Sequence, residues 1–385
     1  MKNLSNQFAV LIMFLICTSC IDNDKELTHS YYQDYELMEN TLNIPNATPM
    51  DYNLVFPEYY GRTANFDRNM ATLGRVMFYD TNLSADRTVS CASCHKQDLA
   101  FSDDKKVSDG INEQVTDRNS LALGAVFNFQ EYYGTTSLSA VPFFWDNSIR
   151  TVQEQIVFTF ASDKEMDMTI DQVVDVMNSN DYYTPLIKAL NADKADNILA
   201  VEALAVFVNS IGSYGSKFDY ALSEAAGGRI GFNQEREIAT RIFDMFTDVE
   251  NRGKDIYMNN CASCHGELMG APNLLQANNG LVVSDGDFGV ENSQGEFKVP
   301  SLRNLTLTFP YMHDGSFETI EDVIDHYSEG IQMNPALHPN LIDASGNPLA
   351  MNFTDTEKEE LLAFLKTFDD EEFLTNPIYS DPFIR

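Results

Sequence analysis

The chain has 385 residues, 44% of them hydrophobic, which is enough for two or three domains with a sizeable core and argues against wholesale disorder. Its formal charge is −33, from 58 acidic and 25 basic residues, so nucleic acid, which needs clustered Lys and Arg, is excluded as a partner. That charge favours a well-solvated surface and would steer in a cation or a basic protein.

The N-terminus reads "MKNLSNQFAVLIMFLICTSC". Lys2 supplies a short positive region and Phe8 to Ile16 an apolar one, too short for a membrane-spanning helix, so residues 1–20 are expected to be an export signal. Cys20 follows the small residues Thr18 and Ser19. The segment is similar to a bacterial lipoprotein signal, which would make Cys20 the lipidated first residue of the mature chain. The competing reading is an ordinary signal peptide cleaved nearby. The expected location is outside the cytoplasm of a bacterium, with a soluble body lipid-anchored in the cell envelope. Residues 21–60 are acidic and weakly periodic, and are expected to form a tether and N-terminal extension.

"FDRNMATLGRVMFYD" then has helical spacing at Met70, Leu73 and Met77, and leads within about a dozen residues to "CASCH" at Cys91. "TIDQVVDVMNSNDYYTPLIKAL" carries apolar Ile170, Val173, Val174 and Met177, and "NILAVEALAVFVNSIGSYGSKFDYAL" reads as one long amphipathic run. "AAGGRIGFN" marks a division, giving an N-terminal unit at 61–228 and a C-terminal unit at 229–385. A second helical stretch ends in "ENRG", read as a turn, before "GKDIYMNN" and a second "CASCH" at Cys261. Cys261 follows Cys91 by 170 residues, so the sequence looks like a duplicated helix–connection–CASCH module. Residues 270–299 are rich in Gly, Asn and Asp and are expected to be loop. "TDTEKEELLAFLKTF" closes the pattern, with Thr354 or Asp355 as cap and Leu361, Leu362, Phe364 and Leu365 buried. The expected class is mainly α, two c-type cytochrome-like domains related by duplication, with few short strands.

C-x-x-C-H is the attachment pattern of c-type haem. Two thiols at that spacing add to the two vinyl groups of one porphyrin, and the adjacent imidazole reaches the iron. The two copies therefore predict two covalent haems, held by Cys91 and Cys94 with proximal ligand His95, and by Cys261 and Cys264 with His265. Zinc bound by the four Cys and two His is the competing chemistry. Haem ligation fits a chain behind an export signal. No cysteine pair is left for a structural disulfide, because the other two of the six are Cys17 and Cys20.

Three further segments, "LGRVMFYDTNLSADRTVSCASCH", "PFFWDNSIRTVQEQ" and "FKVPSLRNLTLTFPYMHDGSFETIEDVIDHY", resemble the bacterial di-haem cytochrome c peroxidases and their MauG relatives, from about Leu73 to about Phe368. The resemblance implies two haem domains around an interface with bound calcium, and peroxide chemistry at the N-terminal haem. It implies Glu165 as acid–base catalyst, Gln155 as a distal amide, and Trp145 as the relay between haems. Glu154 is the competing carboxylate. Arg303 is expected on a haem propionate, and Asn119, Thr308 and Pro310 at the calcium. This chain has Asn147, Ser148 and Arg150 where the family usually continues Gly-Arg after "WD", which puts the role of that Arg in doubt.

Many family members close the first iron with a His in the loop after the first motif. Here no His occurs between His95 and His265, so the first haem is expected to be open, with Met166 or Met168 the remaining candidates for a sixth ligand. For the second haem, Tyr327 lies fourteen residues after His313, as in the MauG pattern, and Met333 is the second choice. A core aromatic is the bland reading of Tyr327. The expected function is reduction of hydrogen peroxide with electrons from a small donor protein, such as a cytochrome c. The alternative is MauG-like oxidation of a partner protein's side chains. A di-haem electron carrier ranks behind both, since a carrier gains nothing from an open iron. A homodimer is compatible with the sequence.

Overall fold

The computed structural model describes residues 49–56, 63–126, 143–228, 235–266, 273–281 and 287–383. The export signal with Cys20, the tether up to residue 48, and residues 229–234 at the expected division lie outside the described residues.

In chain order the elements are β1 (Leu54–Val55), β2 (Thr63–Ala64), α1 (Arg68–Tyr79), α2 (Cys91–Cys94), α3 (Val152–Ala161), α4 (Ile170–Ser179), α5 (Tyr183–Lys188) and α6 (Asn197–Ser210). There follow α7 (Lys217–Ala226), α8 (Glu235–Ala239), α9 (Asp248–Asn260), α10 (Ala262–His265), β3 (Gln276–Ala277), β4 (Phe297–Lys298), α11 (Ile320–Asp325) and α12 (Asp355–Leu365). The strands form two short antiparallel pairs, Leu54 opposite Ala64 and Ala277 opposite Phe297. The fold is mainly helical, as expected. β3 and β4 stand inside the segment read as loop.

Side chains at the helix starts set the boundaries. The Asp67 carboxylate accepts from the amides of Asn69 and Met70, starting α1. Capping boxes at Thr169, Ser216, Thr247, Thr319 and Thr354 start α4, α7, α9, α11 and α12. Two readings are corrected by these caps. The run from Asn197 is two helices, because the chain leaves helix at Ile211 and Ser216 begins a new one. α6 is not amphipathic either, since α1, α3 and α4 all pack on it and apolar residues suit most of its sides. The stretch "ENRG" is no turn. Thr247 caps a helix that runs through it to Asn260, and Cys261 ends that helix directly.

α1 and α9 cross their partners alike. A Cβ on Gly74 of α1 would lie 2.0 Å from the Ala203 carbonyl oxygen of α6. A Cβ on Gly253 of α9 would lie 1.9 Å from the Glu360 carbonyl oxygen of α12. Each glycine lets two helix backbones touch just ahead of a CASCH motif.

Two main cores result. One holds Leu73, Phe78, Phe101, Phe160 and Phe207; the other holds Phe218, Phe243, Tyr257, Phe364 and Phe368. Packing crosses the expected division in both directions. α7 belongs to the second core, where Phe218 meets Phe364 and Phe368 edge to face. The C-terminal segment returns to the first core, where the buried Arg75 donates to the Ser380 carbonyl at 2.7 Å and Tyr79 to the Tyr379 carbonyl at 2.6 Å.

Candidate haem sites

α2 presents Cys91 and Cys94 on one turn and ends at His95. The His95 Nδ1 lies 3.0 Å from the Phe101 carbonyl oxygen and 3.2 Å from Ser120 Oγ. A carbonyl only accepts, so Nδ1 carries the proton and Nε2 keeps the lone pair a metal needs. Burial pushes the imidazole below its ordinary value, which keeps it neutral. Ser120 Oγ also donates to the Cys94 carbonyl at 2.8 Å, tying the motif to the segment that carries Asn119.

The motif opens on a cavity of about 510 Å³. Gln155 from α3 and Glu165 from the turn after it line the same cavity, whereas Glu154 is exposed and does not. The first motif's own loop helps set Glu165. Gly110 lies against Lys164 so closely that a Cβ would be 1.6 Å from its carbonyl oxygen, and Gln114 donates to the Asp163 carbonyl at 3.0 Å. Burial raises the Glu165 pKa, partly offset by hydrogen bonds to Thr159 and Ser162. Met166 also lines the cavity, and both Met166 and Met168 are buried in the first core.

The second motif is α10. His265 Nδ1 faces the Pro300 carbonyl oxygen at 3.3 Å, and burial lowers its pKa to about 4. Tyr327 stands in a π-helical turn, His326–Gly330. Its hydroxyl accepts from Asn279 Nδ2 at 3.4 Å. Burial pushes the phenol up to about 12, and the nearby Cys261 and Cys264 thiols push it the same way. Met333 is 50% exposed. His326 is held elsewhere, with Nε2 on the Asn279 carbonyl at 3.1 Å.

All four described cysteines are free of disulfides. Burial raises the Cys91 and Cys261 thiols to about 12 and Cys94 to about 11. Each motif packs against a different core, and among the described residues no group of three or more His, Cys, Asp or Glu is arranged to hold a metal ion. A zinc site shared by the two motifs does not fit that separation. A covalent haem at each does, since each offers two unpaired thiols and a histidine with Nε2 free.

Between the motifs, the Trp145 indole donates to the Asn119 carbonyl at 2.8 Å, and the Asn119 amide donates to the His313 carbonyl at 2.9 Å. His313 stacks on Phe297 at 3.5 Å between ring centres and lies 6.4 Å from the Trp145 ring. Asn119, Thr308 and Pro310 line the first cavity together, and the Asn119 side chain donates to the Lys105 carbonyl at 3.1 Å.

Arg303 lines the first cavity. Its guanidinium forms a fork on Asp219, at 2.7 and 2.8 Å, with both side chains buried. Burying two opposite charges together keeps them paired, so this arginine also holds α7 to the second core. Arg150 is exposed.

Sequence reasoning missed two cations. Arg118 bonds Asp146 at 2.7 Å and Asp287 at 3.0 Å, closing the ends of the inter-motif region. Arg118 stands beside Asn119 in "DRNS", but its partners lie 28 and 169 residues away in sequence. Lys298 lines the first cavity, buried enough that its ammonium is lowered to about 7. Nothing local marks it, because its burial comes from the β3–β4 pair.

A family model described as di-haem cytochrome c peroxidase matches residues 68–226, and one described as cytochrome c matches residues 250–369. The methylamine utilization protein MauG of Methylorubrum extorquens is 30% identical over 312 residues, covering 78% of each chain. The cytochrome c551 peroxidase of Nitrosomonas europaea is 26% identical over 316 residues, covering 79% of this chain and 81% of that one. A solved MauG-like protein associated with microbial copper homeostasis aligns with a TM-score of 0.67 at 27% identity, over 86% of this chain and 97% of that one.

Proposed function

We propose, from the premise that this chain belongs to the di-haem cytochrome c peroxidase and MauG family, that its N-terminal site reduces hydrogen peroxide to water while the C-terminal site passes in electrons from an external donor. It is an oxidoreductase whose haems are of the covalently bound c type. Bound at each motif, haem supplies an iron that exchanges electrons and, where a coordination position is open, takes up peroxide.

The chain's own residues supply the rest. His95 Nε2 and His265 Nε2 are the proximal ligands, and the thiols of Cys91, Cys94, Cys261 and Cys264 are the attachment points. Glu165 takes a proton from the inner peroxide oxygen and returns one to the outer oxygen, which leaves as water. Its raised pKa brings it closer to the working range for both steps. Gln155 orients the peroxide by hydrogen bonding. Trp145 is the relay between the two sites. Arg303 and Lys298, which both line the first cavity, are the cations we assign to haem propionates. Asn119, Thr308 and Pro310 contribute oxygen ligands to a calcium ion.

The observation that carries this reading is a half-buried carboxyl, Glu165, lining the same cavity as the first motif, with no histidine there besides His95. A pure electron carrier has no use for either feature. Ferric EPR before and after peroxide tests it. One high-spin and one low-spin haem are expected, and two low-spin haems would overturn the open first site.

One observation favours the MauG branch. Tyr327 lies by the second pair of thiols while Met333 is half exposed. We assign Tyr327 as the sixth ligand of the second haem, a donor that stabilises ferric iron and suits storage of oxidising power for a partner protein. Modified or cross-linked side chains on a partner would support that substrate; rapid turnover with a reduced cytochrome would support peroxidase action. Among the described residues no helix is long and apolar enough to cross a membrane. We place the protein outside the cytoplasm of a bacterium, anchored by a lipid on Cys20, with the haem units divided between residues 228 and 229.

A further inference from the structure

Beside the first haem site, two adjacent phenols share one buried carboxylate. Tyr182 and Tyr183 both donate to Asp80 Oδ2, at 2.6 and 2.8 Å. Their rings are 4.7 Å apart between centres. Asp80 is buried and its other oxygen, Oδ1, accepts from the Asn82 amide and from Asn82 Nδ2, both at 2.9 Å. Capping the turn Thr81–Leu83 therefore uses Oδ1 alone. Oδ2 serves the phenols.

The pair spans depth. Tyr183 is wholly buried in the first core, the same cluster against which Cys91 packs. Tyr182 is only partly buried, and its ring meets Phe383 of the C-terminal segment at 6.0 Å. Other buried phenols in the chain differ in their acceptors. Tyr79, Tyr379 and Tyr257 donate to backbone carbonyls, at 2.6, 2.9 and 2.8 Å. The Trp145 indole does too. A peptide carbonyl is too weak a base to keep a proton, whereas a carboxylate can.

We propose that Tyr183 and Tyr182, with Asp80 as their common proton acceptor, form a second redox-active site that draws oxidising equivalents from the N-terminal haem pocket towards the surface. This inference rests on the peroxide chemistry proposed above, which supplies the oxidant. In the first step one electron leaves the Tyr183 ring for the oxidised pocket. Its O–H bond breaks, the proton forms an O–H bond on Asp80 Oδ2, and a neutral tyrosyl radical remains. Tyr182 then gives Tyr183 an electron and gives its own proton to Asp80, which returns the first proton to Tyr183. The radical now resides on Tyr182, within reach of solvent, where a one-electron organic reductant supplies an electron and Asp80 Oδ2 returns its proton, restoring the phenol and the carboxylate. Burial and the Asp80 charge both raise the two phenol pKa values, so neither is available as a free phenolate and the proton must move with the electron.

The experiment is freeze-quenched EPR of the haem-loaded protein mixed with hydrogen peroxide and no donor. The same samples are digested and mapped by mass spectrometry after trapping with a nitroso spin trap. Wild type is expected to give a tyrosyl signal, with trap adducts on Tyr182. Tyr182→Phe combined with Tyr183→Phe should lower that signal at least tenfold, with haem absorbance and melting temperature confirming a folded protein. Asp80→Asn should lower it similarly. Should that variant prove unstable, the Tyr183→Phe variant alone is diagnostic, since it should abolish adducts on Tyr182. An unchanged signal in the double variant, or adducts absent from Tyr182 in wild type, overturns the inference while leaving the peroxidase reading intact. No change in the haem spectrum on adding peroxide overturns both.

Discussion

The two CASCH copies have the same sequence and different surroundings. Before the first, α1 ends at Tyr79 and eleven residues, 80–90, intervene; before the second, α9 runs into Cys261 itself. After the first, the loop folds onto the turn bearing Glu165, and a cavity forms between them. After the second, Tyr327 lies close to the thiols from a π-helical turn, and Asn279 hydrogen-bonds its hydroxyl. Identical attachment motifs thus stand in two different chemical settings. A carboxyl with room around it favours reaction, and a phenol close to the motif favours ligation.

Glu165→Gln should break the contrast hardest. Peroxide turnover should fall by about 10² to 10⁴-fold, the usual worth of a positioned acid–base group, with haem content unchanged. Normal turnover would remove Glu165 from the mechanism. The same variant has a pH signature. Burial raises the folded pKa of Glu165 above its ordinary 4.5, so ionising it costs stability. Stability should therefore fall as pH rises from the unfolded value through the folded one, and denaturant melts of Glu165→Gln should lack that part of the slope.

Tyr327→Phe should sharpen the other half. The low-spin EPR signal should change and the second haem's potential should rise, by on the order of a tenth of the ~0.8 V range that axial ligands command. Met333→Leu should leave both untouched; a change there and none at Tyr327 would exchange the assignments. Next come the paired helix crossings. Gly74→Ala and Gly253→Ala each force a Cβ against backbone, and each should cost about 1–3 kcal/mol in chemical denaturation. Equal losses would mean the two crossings are energetically alike, and an appreciable gap would locate the weaker unit. Arg118→Ala should have the least effect on stability, roughly 1 kcal/mol for partly exposed pairs. Its sharper readout is a slower electron transfer between haems.

Haem attachment was legible because it is written locally. C-x-x-C-H is complete in five residues, and the helix periods of α1, α4 and α12 follow from apolar spacing. Glu165 came from a family motif rather than from any property of a glutamate among 58 acids. The sequence says less where partners are distant. Arg303 meets Asp219 from 84 residues away, and no local pattern announces that pairing. Similarly, α7 was assigned by position along the chain, yet Phe218 finds its neighbours in α12 and just beyond it. The turn expected at "ENRG" is helix, and Gly253 does not break it. Its actual service is to let α9 touch α12, which only the packed pair reveals.

The weakly acidic thiols of the two motifs bear on how this protein is made. Joining sulfur to a vinyl group needs an accessible, reactive cysteine. In the folded chain Cys91 and Cys261 are raised to about 12, so almost none of either is thiolate at neutral pH. The folded protein is thus a poor acceptor for its own prosthetic groups. Attachment is therefore favoured while the chain is still open, before the helix crossings at Gly74 and Gly253 lock. The second motif, continuous with α9, is the copy that premature helix formation would seal first.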